Sequence, residues 1–289
     1  PFNSGRDYKL SVDSEIGFND EWDSDLQYET WIEKFVLLCK DTLKKDGTFF
    51  FHISAAEMYI PEKVCRRIFN HVQPIFWKKS RSKNNVKKKL GATIDVIFKC
   101  SMDKEPCFNM VYQPLNEYYA KNSYKNKDSR GNYALGHLVN DKTRKTKNEE
   151  RLYTFEIGER SWTPSNGWRL SKEDLQALLD DDRVHIPKGN ANLYRKIYKH
   201  ESKGKPCTDL WDDIHSIARG AKDARKYPTA KPVPLLERII KMSSNEGDTI
   251  LDPVAGSGTT GVAAKNLNRN YILFDINTDA HSIMKHRGL

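Results

Sequence analysis

The most restrictive stretch of the chain is Ile250–Leu267, ILDPVAGSGTTGVAAKNL, where a short apolar run meets a glycine-rich turn and then a helix-forming segment. Gly256, Gly258 and Gly261 fit the spacing G-x-G-x-x-G after a strand and at the head of a helix, the setting in which that spacing has a mechanical meaning. Glycine lets the backbone turn sharply and lets a ligand come close to it. Asp275 closes the next apolar run, YILFDIN, where a carboxylate can take ribose hydroxyls. A tight turn without a ligand is the simpler alternative, but it has no use for the acid.

Two features argue against a dinucleotide. That fold needs a second mononucleotide half after the first, and the sequence in hand runs only about thirty residues beyond the glycines. Asp252 also stands at the strand end just before the loop, where it would repel a pyrophosphate and attract a cation. A Walker loop is excluded, because no Gly-Lys-Ser/Thr follows the glycines. S-adenosylmethionine carries a sulfonium, an ammonium and a ribose but no phosphate, so it suits Asp252 and Asp275 together. Through Asp252, Gly256, Gly258 and Asp275 the chain is expected to bind it.

Around this loop the pattern is α/β. YETWIEKFVLLCKDTL spaces Trp31, Phe35, Leu38 and Leu43 as one face of a helix. TFFFHIS, QPIFWKKS and ATIDVIFKC read as strands, and a helix is expected from about Pro61 to His71. PVPLLERIIKMSS is a proline-started helix, and GDTILD and YILFDIN are strands. Residues 1–20 read as polar turns. Between 101 and 213 periodicity weakens and Tyr, Lys and Arg become dense. SKEDLQALLDDD is expected there as a helix capped by Ser171, with Glu173 and Asp174 favourable in its first turn. The expected divisions are therefore 1–100, 101–213 and 214–289.

DPVAGSGTT resembles the S-adenosylmethionine motif of the DNA amino-methyltransferases. YPTAKPVPLLERII resembles their HPTQKP segment, and PFNSGRDY resembles the tail of their catalytic DPP[YF] motif. GWRLSKEDLQALLDDDRV and KGKPCTDLWDDI are similar to stretches of adenine-specific members. The order of catalytic motif, variable region and cofactor motif is that of the beta class, which includes the modification subunits of type III restriction systems. The resemblance implies a Rossmann-like, circularly permuted methyltransferase fold with a mixed sheet and an inserted target-recognition region. Circular permutation explains why a cofactor loop stands so late, with the N-terminal strands completing the same sheet.

Carried over residue by residue, the cofactor would be held by Asp252, Pro253, Ala255, Gly256, Ser257, Gly258, Thr259, Thr260 and Asp275, with Thr229, Lys231 and Pro232 at its methionine end. Tyr227 and Ala230 depart from the family's His and Gln. The catalytic motif would leave Pro1, Phe2 and Asn3 here. Its acidic or polar residue and first proline would lie upstream of Pro1, so the chain as given is expected to transfer methyl groups poorly. An exocyclic amine is a poor nucleophile because its lone pair conjugates with the ring. In this family a polar side chain and the following carbonyl accept its hydrogens and localise the lone pair, an effect of orientation and electrostatics. Phe2 would stack on a base flipped out of the duplex.

The resemblance thus implies transfer of methyl groups to N6 of adenine in double-stranded DNA. Cytosine N4 is the alternative target, and a non-catalytic DNA-binding remnant is the alternative of another class. An NAD-dependent oxidoreductase is a more distant third. The family also admits a restriction subunit or a second copy as partner, and implies a cytoplasmic, nucleoid-associated bacterial protein.

Charge agrees with a polyanionic partner. Lys plus Arg number 48 against 39 Asp plus Glu, a net charge of +9 at a mean hydropathy of −0.74. KKSRSKNNVKKK places Lys78, Lys79, Arg81, Lys83, Lys87, Lys88 and Lys89 in one run without an acid. Such a run is either a solvated loop or a set of phosphate contacts. Trp77, just before it, is either core or a wall of the base pocket. The five cysteines form no CxxC pair, and His52, His137 and His185 lie apart, so no metal site and no disulfide framework are indicated.

Overall fold

The computed structural model describes residues 20–80, 90–141, 143, 146, 148–189, 191–217, 227 and 229–289, and the backbone alone of Asp7–Lys9 and Gly17–Asn19. Those last two segments are strands β1 and β2, paired antiparallel, where polar turns were expected. Ser24 caps α1 (Asp25–Thr42), its hydroxyl accepting the Gln27 N–H at 3.2 Å, one of the donors that a helix start leaves without a partner. The helix stands as expected, but its buried face does not. Tyr28, Ile32, Val36 and Cys39 are buried, whereas Leu38 is 69% exposed. Trp31 and Phe35 stack on each other at the flank, ring centroids 5.3 Å apart.

Strands β3 (Phe49–Ser54), β4 (His71–Lys78) and β5 (Ile94–Ser101) follow, with α2 (Tyr59–Ile68) between the first two. β5 lies antiparallel between β3 and β4, and β6 (Leu210–Trp211) joins the far side of β4 in parallel, Trp211 opposite Trp77. The stripe of α1 packs with Ile60, Val64 and Cys65 of α2 on Phe51, Ile53, Val96 and Phe98 of the sheet. Each such side chain contributes about 1.5–3 kcal/mol by leaving water.

The glycine stretch forms its own unit of β7 (Thr249–Asp252), α4 (Thr259–Asn266) and β8 (Asn270–Leu273), followed by α5 (Thr278–His286). β7 and β8 are parallel, Asp252 opposite Leu273. Among the described residues no backbone ladder joins this pair to the four-stranded sheet. The link is α3 (Val233–Ser243), which starts with Pro234 in its first turn, where a missing N–H costs nothing. Leu235 and Met242 of α3 pack with Ile75, Trp77, Ile97 and Trp211, while Ile240 packs on Ala263 and Ala264 of α4.

The chain divides into two compact units, residues 1–113 with 206–289, and residues 114–205. Residues 101–113 and 206–213, expected in the middle region, stay with the first unit for identifiable reasons. Cys107 N–H donates to Asp46 O at 2.9 Å and Asn109 N–H to Met242 O at 2.7 Å. Arg238 of α3 makes a bidentate pair with Asp213 and lies over the Trp211 ring.

In the second unit, strands Val184–His185, Tyr194–Tyr198, Gly131–His137 and Asn126–Asp128 form an antiparallel sheet in that order. Helix Lys172–Asp180 begins at Ser171, whose hydroxyl accepts the Asp174 N–H at 3.1 Å, as expected. Its Leu175 enters a core with Phe155, Trp162, Trp168, Val184 and Leu193. Weak periodicity hid this core, because large aromatic residues on short strands supply it.

Candidate functional site

At the end of β7 the Asp252 carboxylate is turned to its own loop. Oδ1 accepts the Val254 N–H at 3.1 Å, and Oδ2 accepts the Thr260 hydroxyl at 2.5 Å. Burial raises this carboxyl above the ordinary range, against the pull of those two hydrogen bonds. A cation placed beside it would relieve that penalty. Asp275, beyond β8, reaches back across the loop. Oδ2 accepts the Gly256 N–H at 2.7 Å and Oδ1 the Asn277 N–H at 2.9 Å. A carboxylate has about four acceptor positions, so two remain for hydroxyl donors. Ile276, next to it, is 97% exposed.

Two of the glycines are required by the sharp turn, as expected, and also by packing, which the sequence did not disclose. Gly256 and Gly258 adopt φ of +53° and +74°, the left-handed region. A Cβ on Gly256 would stand 2.9 Å from the Tyr227 ring, and one on Gly258 would stand 2.6 Å from Met284 Cγ and 2.7 Å from Leu289 Cδ1. Close approach of a ligand was the expected reason at Gly258. The structure instead sets its missing side chain against the packing of α5.

The other loop residues face inward. Ser257, Thr259 and Thr260 are buried. Ser257 Oγ and Thr259 Oγ1 lie 3.1 Å apart, and Arg287 donates to Thr259 Oγ1 at 3.3 Å. Ala255 N–H donates to Phe274 O at 2.9 Å, fastening the loop to the β8 end. Pro253 sits between the anchored Asp252 and Val254. These residues shape the cradle that carries the two carboxylates.

The segment before α3 is brought to the same place. Tyr227, which departs from the family pattern, is buried against Gly256 and packs with Ala255, Ala280 and Met284, with Ala230 beside them. Burial pushes its hydroxyl up to about 12, with Asp275 acting in the same direction. Thr229 O accepts Lys231 Nζ at 2.7 Å, and Pro232 caps α3. Burial lowers the Lys231 ammonium to about 8, while the negative charges of Asp95 and Asp252 oppose that shift.

Asp95 belongs to a group that sequence reasoning missed. His52 Nε2 of β3 lies 3.0 Å from Asp95 Oδ2 of β5, and Lys79 Nζ, just past β4, lies 2.5 Å from Asp95 Oδ1. The His52 ring also meets the edge of Trp77. Burial lowers His52 to about 4, so it is neutral at pH 7. Burial works to raise Asp95, but the His52 hydrogen bond and the Lys79 ammonium hold its carboxyl below the ordinary range. The available signal was an acid inside the apolar run ATIDVIFKC.

Of the basic run, Lys78 is exposed and Lys79 is taken up by Asp95. Arg81, Lys83, Lys87, Lys88 and Lys89 lie outside the described residues, as do Pro1, Phe2 and Asn3. Trp77 is core, 1% exposed, with its indole N–H donating to Ile214 O at 2.7 Å. No cluster of three or more His, Cys, Asp or Glu able to hold a metal occurs among the described residues. Nor is any helix among them long and apolar enough to cross a membrane.

The profile of a family described as DNA methylase matches residues 1–286. Type II methyltransferase M.EcaI of Enterobacter cloacae is 28% identical over 86% of this chain and 54% of its own length. The StyLTI Mod subunit of a type III restriction-modification enzyme from Salmonella typhimurium is 27% identical over 81% of this chain and 37% of its own. DNA adenine methyltransferase YhdJ of Escherichia coli is 27% identical over 96% and 70%. The chain thus spans about half or less of the length of the first two relatives. The solved PvuII DNA methyltransferase, cytosine-N4-specific, superposes with a TM-score of 0.51 at 15% identity over 98% of this chain and 76% of that one, a likeness of fold. With the profile spanning almost every residue, the chain belongs to the DNA methylase family.

Proposed function

We propose that this chain is the catalytic and cofactor-binding body of an S-adenosylmethionine-dependent DNA methyltransferase acting on N6 of adenine. The observation that carries the reading is the pair of carboxylates, Asp252 and Asp275, facing one glycine cradle at the end of two parallel strands. Two carboxylates at the ends of neighbouring strands suit a ligand with a positive charge at one end and a ribose at the other. When bound, the cofactor supplies a methyl group on a sulfonium. Asp252 attracts the cationic end, Asp275 accepts ribose hydroxyls, and Ile276 offers an apolar surface to a flat base. The glycine loop, pinned by Asp275 and packed on Tyr227, is preorganised, so little ordering free energy is spent on binding. One relative described as a DNA adenine methyltransferase supports the adenine target, and another described as a type III Mod subunit supports a restriction subunit as partner. Phe2 and Asn3 take the flipped base in this reading, and the Lys78–Lys89 run takes phosphates, with Lys79 the member already paired.

The test is transfer from tritiated S-adenosylmethionine to mixed-sequence duplex DNA by the full-length protein, followed by nucleoside analysis. Label in N6-methyladenine is expected, and label in N4-methylcytosine would reassign the target. Absence of cofactor binding by calorimetry would overturn the reading altogether.

A further inference from the structure

Lys231 stands between the cradle and the buried group on the four-stranded sheet. Its ammonium donates to Thr229 O at 2.7 Å, on the segment just before α3. Tyr227 fixes that segment to the cradle, its ring lying against Gly256. From one side Lys231 feels the Asp252 carboxylate at the end of β7. From the other it feels Asp95 of β5, with Lys79 and His52 around that carboxylate. His52 lies near the carboxyl end of β3, Lys79 just beyond that of β4 and Asp252 at that of β7. Open α/β sheets take their ligands at that edge. The two anions differ in what already holds them. Asp95 has an ammonium on it, from Lys79, and the His52 ring at 3.0 Å. The hydrogen bonds to Asp252 come from neutral donors, the Val254 N–H and the Thr260 hydroxyl. Lys231 thus supplies positive charge to a carboxylate that burial already strains.

We propose that Lys231 is the exchangeable counter-charge of the cradle, giving its proton to solvent when a sulfonium comes to Asp252 and taking one back when the methyl group has left. Two cations drawn to one carboxylate in a site removed from water repel each other strongly. Only the amine can shed its charge, because a sulfonium has no proton to give. Methyl transfer breaks the carbon–sulfur bond with its electron pair left on sulfur. The lone pair of the target amine forms the new bond, and one proton of that amine leaves to solvent. Sulfur is then neutral and Lys231 regains a proton from solvent, so the charge beside Asp252 is the same before and after. Lysine suits the position because arginine would stay charged throughout. Burial brings Lys231 to about 8, against the support of Asp95 and Asp252, while it sends Tyr227 up to about 12 and His52 down to about 4. The exchange presupposes the S-adenosylmethionine reading, and the controls separate the two.

Calorimetry of the full-length protein, in buffers of different ionisation enthalpy, measures the protons released on binding S-adenosylmethionine. S-adenosylhomocysteine, which lacks the sulfonium, is the control ligand. The excess of the first over the second is compared between wild type, Lys231→Met and Lys231→Arg. Titration of the ligands' own amines is common to all three proteins and cancels. At about pH 7.5 the wild-type excess should surpass that of either variant by roughly half a proton. Between about pH 7 and 9 the preference for S-adenosylmethionine should rise by up to about tenfold more in wild type than in the variants. Asp95→Asn removes an anion that supports the ammonium, so it should move this pH dependence to lower pH without abolishing it. An excess equal in wild type and the Lys231 variants would overturn the exchange and leave the cofactor reading standing. Should both Lys231 variants fail to fold, a pH dependence unmoved in Asp95→Asn would overturn it instead. Binding of neither ligand by the wild-type protein would overturn both together.

Discussion

Asp252→Asn separates charge from shape at the centre of the cradle. The amide can keep both local hydrogen bonds, its carbonyl accepting from Val254 N–H and its NH₂ donating to the Thr260 hydroxyl. Burial holds the Asp252 carboxyl above its ordinary pKa, so the charged form is disfavoured in the empty fold. An acid raised in this way is stable to folding when protonated. The stability it lends is present at low pH and lost as pH rises through the unfolded and then the folded pKa. At pH 7 the asparagine should therefore be neutral or slightly stabilising, with the melting midpoint level or raised. Ligand binding should move the other way. A cationic centre about 6 Å from the carboxylate at an effective dielectric of about 20 gains about 3 kcal/mol. Solvent reaching this group reduces that to about 1–2 kcal/mol, about five- to thirtyfold in Kd. Isothermal calorimetry with S-adenosylmethionine reads the loss. Wild-type affinity should also weaken as pH falls through the raised pKa, and that dependence should flatten in the variant. A folded Asp252→Asn protein with unchanged Kd would refute the electrostatic role.

Gly258→Ala should lower the thermal midpoint by several degrees before any ligand is added, since it combines a left-handed φ with a Cβ 2.6 Å from Met284 Cγ. A midpoint equal to wild type would contradict the packing described. His52 has a folded pKa lowered to about 4, so its share of stability is full above the unfolded value near 6.5 and lost as pH falls toward 4. His52→Gln should be less sensitive than wild type to acid between those values in urea titrations, and an identical acid profile would count against it. Arg238→Met leaves Asp213 without its bidentate partner, and the urea midpoint should fall by the equivalent of about 2–4 kcal/mol.

The cradle was the most legible part of the molecule. Its glycines, Asp252 and Asp275 lie within 24 residues of one another, and the strand–loop–helix sequence fixes their geometry locally. Helix α1 was legible as a helix but not in rotation. The large residues Trp31, Phe35 and Leu38 suggested one face, while Tyr28, Ile32, Val36 and Cys39 are buried. Size misled there because an aromatic pair can satisfy itself at a flank. The His52–Asp95–Lys79 group was missed for a different reason. Its members come from two strands and the residue just past a third, and they meet only through sheet register, with Ser54 and Trp77 opposite Asp95. The role of Tyr227 was hidden likewise, since a motif comparison marks it only as a departure. Residues 206–213 read as part of a variable region because two-residue strands leave no periodicity.

The most direct measurement is a crystal structure of the full-length protein with S-adenosylmethionine. The ribose hydroxyls should lie within hydrogen-bond distance of Asp275, the cationic end should lie toward Asp252, and the base should lie against Ile276. Density for the ligand at any other place, with the Asp252–Asp275 cradle left bare, would contradict the assignment.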